Sequence, residues 1–416
     1  MVMNREEKTH MRKYTSVTIV GGGFGGVKAA LEISKNRRNR VTLISDKDYF
    51  QYYPALFSTA TGHDSRESFV PLAEIFRNRP NVRIIRDTIS SINTTTHELK
   101  GKNLYRYKTA ILALGSVTTY FGIEGLNTYA YGIKSQQEIK KLQAHLWEEM
   151  SDGSDDEKHY VIIGAGPTGV ELAGSLGAYV RQLRKHFGIT KKRVSINLIE
   201  AAPRVLPRCT EQTSKQALKR LRKLGVHVEL NKKVEKQTAT QLIVNGRPLP
   251  TQTVIWTSGV ANAPFFAKNA KQFTLNERGK VVVDSTMKAA KDVYVIGDNA
   301  ATPYAGLAQT ALHDAIFVSR ILRDGATKLY RPVLPATVVP IGDNWAVFEW
   351  KNIRFGGLAG GVMRRLADLV GYHDVLPIGW AMKAWRAQGI KRLRVVEDRS
   401  VATGYTARAD RSSIRG

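Results

Sequence analysis

The stretch Val17-Thr-Ile-Val-Gly-Gly-Gly-Phe-Gly-Gly26 decides the fold. A short apolar run passes directly into Gly21, Gly23 and Gly26, the G-x-G-x-x-G spacing of a dinucleotide-binding turn. The first glycine makes the tight turn, the second lets backbone N–H groups approach a pyrophosphate, and the third lets helix and strand pack closely. A helix-like run from Val27 to Ser34 and a strand from Arg40 to Ser45 complete a β-α-β unit. An acidic residue about twenty positions further on normally meets the ribose. Here the strand ends Leu43-Ile-Ser-Asp46, which leaves both Ser45 and Asp46 open as that contact.

The pattern recurs in Tyr160-Val-Ile-Ile-Gly-Ala-Gly-Pro-Thr-Gly169, with glycines at Gly164, Gly166 and Gly169. A helix from Val170 to about Phe187 and a strand from Val194 to Glu200 follow it. Glu200 is placed to accept from a 2′-hydroxyl and to repel a 2′-phosphate, which favours NADH; Arg204 close by keeps a phosphate open. Glu171, on the first turn of the second helix, reads either as an ordinary acid complementing the helix dipole or as a functional group. The strands Thr109 to Gly115 and Thr253 to Gly259 echo each other, and Ser151 to Lys158 reads as a polar linker.

These elements predict an α/β protein with two Rossmann-like dinucleotide-binding domains. The first comprises residues 14–150 and 276–328, split around a second at 157–275, and a C-terminal region follows at 329–416. Two dinucleotides on one chain imply that one gives a hydride and the other takes it. NADH to FAD is the natural pairing, because a flavin passes electrons on singly or in pairs.

Composition narrows the field. The chain has 416 residues, of which 63 are basic and 36 acidic, for a formal charge of +27. That excess points to an anionic partner, unless it reflects a cell whose proteins are generally basic. No nucleic-acid-binding motif accompanies it, so no nucleic acid is expected. Cys209 is the single cysteine, which excludes an intramolecular disulfide. No metal site is expected. Met1 to Tyr14 is charged and lacks a signal-peptide core, and no stretch approaches the roughly 20 apolar residues of a spanning helix.

Several segments together resemble the type II NADH dehydrogenases, the single-subunit, non-proton-pumping NADH:quinone oxidoreductases of the FAD/NAD(P)-dependent pyridine nucleotide oxidoreductase superfamily. They are Val17 to Gly26, Asp48 through Pro54 to Gly62, Ala113 to Ser116 with Tyr120 to Ile123, and Val161 to Gly174. Glu200 to Pro207, Ile255 to Gly259, Gly297-Asp298 and Ala308-Gln309 extend the match, which loosens over the C-terminal quarter. The resemblance implies that Gly21, Gly23 and Gly26 hold the FAD pyrophosphate and Asp298 the ribityl chain. It assigns Gly164, Gly166, Gly169 and Glu200 to NADH. Phe24, Gly25, Gly115, Gly259, Gly297 and Ala308 are expected as further cofactor contacts.

The same resemblance places Glu171 near the nicotinamide–flavin junction, tuning or relaying protons, and Gln309 at the border of a quinone pocket as a second catalytic residue. The sequence departs from the family where His313 stands in place of a second glutamine. That histidine offers a hydrogen bond or proton to a quinone oxygen, or is an ordinary helix residue. Disulfide reductases and sulfide:quinone oxidoreductases need cysteine pairs that this chain lacks.

Members of such a family bind a membrane surface through C-terminal amphipathic helices. Val362 to Tyr372 and Ile378 to Gln388 are the candidates, the second with Ile378, Met382 and Trp385 at helical spacing; packing on the body is the other reading. The expected partners are a quinone and an anionic membrane surface, at the cytoplasmic face of the cell membrane as a peripheral (monotopic) protein, and a homodimer is admissible. The basic residues beyond about Arg399 read as a disordered tail. A soluble NADH oxidase or diaphorase, and a non-catalytic NADH-sensing flavoprotein, stand as alternatives.

Overall fold

A computed structural model describes residues 15–152, 157–189 and 193–393. The expectations for the N-terminus, the basic tail and the centre of the linker lie outside the described residues.

Two open sheets organise the chain. The first has six strands in the order Lys288–Ala290, Val293–Val295, Thr109–Leu112, Ser16–Val20, Arg40–Ser45 and Val82–Arg86. All its pairings are parallel except that of the edge strand Lys288–Ala290. The second has four parallel strands, ordered Val226–Glu229, Val194–Ile199, Lys158–Ile163 and Thr253–Trp256. The first sheet therefore takes strands from both sides of the second in sequence. Central strands such as Val17–Val20 and Tyr160–Ile163 are buried on both faces, and their continuous apolar runs reflect that.

Both fingerprint helices begin earlier than the apolar pattern suggests, at Phe24 and at Pro167. The last residues of each glycine motif form the first helical turn, where glycine masks the hydrophobic period. The helix Phe24–Ile33 packs against Ala308–Asp324. An antiparallel ribbon, Ser116–Thr118 with Val260–Asn262, bridges the two sheet units, and the Trp256 indole N–H donates to Thr119 O at 3.0 Å.

The C-terminal region adds a three-stranded antiparallel sheet (Thr337–Pro340, Ala346–Trp350, Ile353–Gly357) and two helices, Leu358–Val375 and Ile378–Ala387. Its first helix reaches both units. Lys28 Nζ donates to Asp374 O at 3.0 Å, the Tyr372 hydroxyl donates to Glu67 O at 2.8 Å, and Arg364 meets Glu171. No helix among the described residues is long and apolar enough to cross a membrane.

Candidate active site

The two glycine turns are built alike. Gly21 N–H donates to Ile44 O and Gly164 N–H to Ile199 O, both at 2.8 Å. Gly21 and Gly164 have φ of +116° and +101°, a region that L side chains rarely adopt. A Cβ on Gly26 would collide with the Gly21 carbonyl oxygen, and one on Gly169 with that of Gly164. These positions are glycine because helix and strand touch there. Gly23 and Gly166 differ, since a Cβ on either would meet nothing within 4 Å. They face open space at helix N-termini that no side chain caps. Unspent first-turn N–H groups over an open floor fit a pyrophosphate at both turns.

Beside the first turn, the side chains of Ser45 and Asp46 diverge. Ser45 is buried against Gly22 and accepts from Lys47 N–H at 3.2 Å, whereas Asp46 is exposed. Asp46 and Asp298 both act electrostatically on Tyr53. Tyr53 keeps 47% of its surface open, and desolvation, ahead of the two aspartates, pushes its hydroxyl up to about 12. Asp298 also accepts from the Ser116 hydroxyl at 2.7 Å. At the second turn Glu200 spans the loop, accepting from Ala165 N–H at 2.6 Å and Ala202 N–H at 2.8 Å.

Asn299 and Asp314 support the first cradle. Asn299, wholly buried, accepts from Gly115 N–H at 2.9 Å and donates to Gly115 O and Asn262 Oδ1, each at 2.6 Å. It thereby joins the strand ends at Gly115 and Gly297 to the inter-unit ribbon. Asp314 accepts from Gly297 N–H at 2.9 Å and from the Tyr330 hydroxyl at 2.6 Å. Burial raises its carboxyl, while these bonds oppose the shift.

Gln309 and His313 lie on the outer side of the same helix, Ala308–Asp324. The Gln309 amide donates to Ala336 O at 3.0 Å and accepts from Ala336 N–H at 3.2 Å, and His313 Nε2 lies 3.0 Å from Arg331 O. Both side chains clasp segment 331–336. No hydrogen bond among the described residues joins either to Glu171.

Glu171 instead belongs to a buried cluster. Arg364 Nη1 donates to Glu171 Oε1 at 3.2 Å, Nε to Asp368 Oδ2 at 2.7 Å, and Nη2 to Pro54 O at 2.6 Å. Asp368 also accepts from Tyr52 and Gln388. Burial raises the Glu171 carboxyl to about 8, with Arg364 opposing and Asp368 adding to the shift. A single guanidinium thus ties the second fingerprint helix, the Tyr53–Ala55 turn and the C-terminal helix.

That C-terminal helix carries its polarity in reverse. Arg364, Asp368 and Tyr372 face the body. Leu358, Val362, Leu366 and Val370 form the opposite stripe and are 73%, 61%, 50% and 63% exposed. In the following helix Ala381, Ala384 and Ala387 pack inward. Trp380 and Trp385 donate to Glu74 and to Arg365 O, so neither indole is free. Of the stripe expected there, Ile378 is exposed while Met382 and Trp385 are half-buried.

Comparison with known proteins settles the family. Residues 15–315 match the model described as pyridine nucleotide-disulphide oxidoreductase. The chain belongs to that family.

The expected kinship with type II NADH dehydrogenases is also borne out. Type II NADH:quinone oxidoreductases of Mycobacterium tuberculosis and Staphylococcus saprophyticus are 28% and 26% identical to it. The alignments cover 91% and 88% of this chain, and 88% and 97% of those relatives. The NDH2 structure from Plasmodium falciparum in complex with NADH shares the fold with a TM-score of 0.80 at 17% identity, over 90% of this chain and 97% of that one. The single cysteine, Cys209, is buried, and desolvation pushes its thiol up to about 11. Arg364, Asp368, Asn299 and Asp314 escape a reading by motif. The signal for the first two was an Arg and Asp four residues apart, opposite an apolar stripe.

Proposed function

We propose that this chain is an FAD-dependent NADH:quinone oxidoreductase working at a membrane surface, with net reaction NADH + H⁺ + quinone → NAD⁺ + quinol. The observation that carries this reading is the pair of open glycine cradles, one on each sheet, joined by a ribbon in a chain without a cysteine pair. The names of its relatives supply the acceptor class.

The FAD unit comprises residues 14–150 and 276–328, and the NADH unit residues 157–275. FAD held there would supply a two-electron carrier between NADH and the quinone. The first-turn N–H groups from Phe24 to Gly26 hold the FAD pyrophosphate, Asp298 meets the ribityl chain, and Gly115, Gly297 and Ala308 line the path. Asp46, exposed at the strand end, is the ribose contact, with Ser45 supporting the turn beneath it. Gly164, Gly166, Gly169 and Gly259 shape the NADH site. Glu200 selects against a 2′-phosphate. Glu171, mostly protonated near neutral pH, donates or retains a proton at the junction. Gln309 and His313 act on the quinone side through the 331–336 segment that they clasp.

The membrane surface is met by the Leu358, Val362, Leu366 and Val370 stripe, flanked by exposed Arg365, Lys383 and Arg386. The protein is then peripheral, on the cytoplasmic face, and a homodimer remains compatible with this placement.

The test is anaerobic. Purified yellow protein should bleach with NADH and recover its colour when a short-chain quinone is added. Bleaching without recovery removes the quinone assignment, and an absence of bleaching refutes the oxidoreductase reading altogether. Gln309→Ala should slow recovery by tenfold or so while sparing bleaching, a difference of about 1.4 kcal/mol in one step only.

A further inference from the structure

Beyond Glu171 lies a second buried acid that the redox reading leaves unused. Glu67 is wholly buried at the end of a short turn, Ser65–Glu67. Its Oε1 accepts from the Ser58 and Thr59 hydroxyls at 2.5 and 3.1 Å, while its Oε2 has no partner. A cavity of about 310 Å³ runs past it, lined also by His63, Arg364, Asp368, Gln388 and Lys391. The guanidinium that holds Glu171 shares this cavity with Glu67 and acts on it electrostatically.

The groups around Glu67 can be named element by element. The helix Leu56–Ala60 offers only hydroxyls, and the C-terminal helix presents Arg364, Asp368 and the Tyr372 hydroxyl, which donates to the Glu67 backbone. The helix Ile378–Ala387 packs there through alanines. His63 lies on the cavity wall, and neighbouring Asp64 is already taken by Arg66 and Arg392. Arg364 is thus the cation that three buried carboxyls, Glu67, Glu171 and Asp368, have in common. They cannot all be ionised against it.

We propose that Glu67 is a positioning residue for Glu171. Kept protonated, Glu67 leaves the Arg364 guanidinium to Glu171, Asp368 and the Pro54 carbonyl; once ionised, it draws that guanidinium across the cavity and releases Glu171. Its proton exchanges with solvent by way of the cavity. Burial, partly opposed by the two hydroxyls, raises the Glu67 carboxyl to about 8, so the change falls in an accessible range. The effect on turnover rests on the oxidoreductase reading above; the geometry does not.

Three measurements on the flavin-loaded protein test this. Crystal structures of the unaltered chain near pH 6 and near pH 9 should show Arg364 turned from Glu171 toward Glu67 only at the higher pH. Infrared titration should show carboxylic acid C=O absorption at neutral pH that Glu67→Gln diminishes, the part belonging to Glu171 remaining. Quinone-dependent turnover should fall above about pH 8, a limb that the Glu171 carboxyl also sets, and Glu67→Gln should move that limb to lower pH, because Arg364 then stays with Glu171 and favours its charged form. An unmoved Arg364 at alkaline pH, an unchanged infrared band, or identical alkaline limbs in the two proteins each overturn the proposal. The crystal pair needs no variant, so misfolding of Glu67→Gln leaves the question decidable. Failure of NADH to bleach the flavin removes the oxidoreductase reading, while the crystals and the infrared band still judge Glu67.

Discussion

Replacing Arg364 with methionine keeps most of the side-chain volume and removes the charge, which isolates what the guanidinium contributes. Its side chain is only 11% exposed, and it donates to Glu171, Asp368 and Pro54 O in three separate directions. Breaking a buried pair by removing one partner costs about 3–5 kcal/mol, because the other charge is left without compensation. Asp368 bears most of that loss, since Glu171 is already raised to about 8 and is largely neutral near pH 7. Arg364→Met should therefore cost about 3–5 kcal/mol, read from urea unfolding midpoints of the flavin-loaded protein at neutral pH. In an Asp368→Asn background the same replacement should cost about 1–3 kcal/mol less, the coupling expected of groups in direct contact. Arg364→Lys should recover little, because an ammonium cannot reproduce the planar fork that reaches three acceptors. A cost below about 1 kcal/mol, or equal costs in both backgrounds, would refute the reading of this residue as the electrostatic joint of the fold.

Alanine at Gly23 should leave a folded protein that no longer retains flavin, whereas alanine at Gly26 should prevent folding, since only the latter Cβ strikes backbone; circular dichroism and the flavin absorbance of purified protein separate the two. Glu200→Ser should lower the preference for NADH over NADPH by about tenfold or more in kcat/KM, and an unchanged ratio would mean that its bonds to Ala165 and Ala202 are its whole role. A carboxyl raised on folding binds its proton more tightly in the native state, so stability falls as pH climbs from its unfolded value to its folded one. For Glu171 that window runs from 4.5 to about 8. Glu171→Gln should flatten the fall there by up to about 1.4 kcal/mol per pH unit, and parallel stability curves would count against it. Leu366→Asp should abolish sedimentation with anionic vesicles without slowing anaerobic bleaching by NADH.

The glycine turns were legible because their demands are local. A strand, a tight turn and an anion-facing helix start lie within ten residues, and each glycine answers one steric need. The return of residues 288–295 to the first sheet was foreshadowed by the strand ending at Gly297-Asp298, although sequence alone gives no pairing order. The buried cluster was not legible, for a topological reason. Glu171 and Arg364 stand 193 residues apart, and neither belongs to a periodic pattern that names the other. Gln309 and His313 show a different limit. Their positions on the helix were readable, but their engagement with Ala336 and Arg331 depends on the path of a segment without regular structure.

The helix Leu358–Val375 shows why an amphipathic pattern cannot be read without knowing its solvent. In water the stripe Leu358, Val362, Leu366 and Val370 would be taken as the core face, and Arg364 with Asp368 as the solvated one. The structure has them the other way round. Facing water on one side and protein on the other, such a helix would gain by turning over: about 1 kcal/mol or more for each apolar side chain returned to cover, and the desolvation of Arg364 and Asp368 avoided. Two things hold it as it is. Inside, Arg364 holds Glu171 and the Pro54 carbonyl, two acceptors on other elements that a flipped helix would leave unpaired. Outside, an acyl phase would remove the penalty on the apolar stripe while the adjacent basic residues meet anionic headgroups. The inverted face and the charged cluster are thus two sides of one arrangement. The same helix that would seat the protein on a bilayer also carries the guanidinium that holds Glu171.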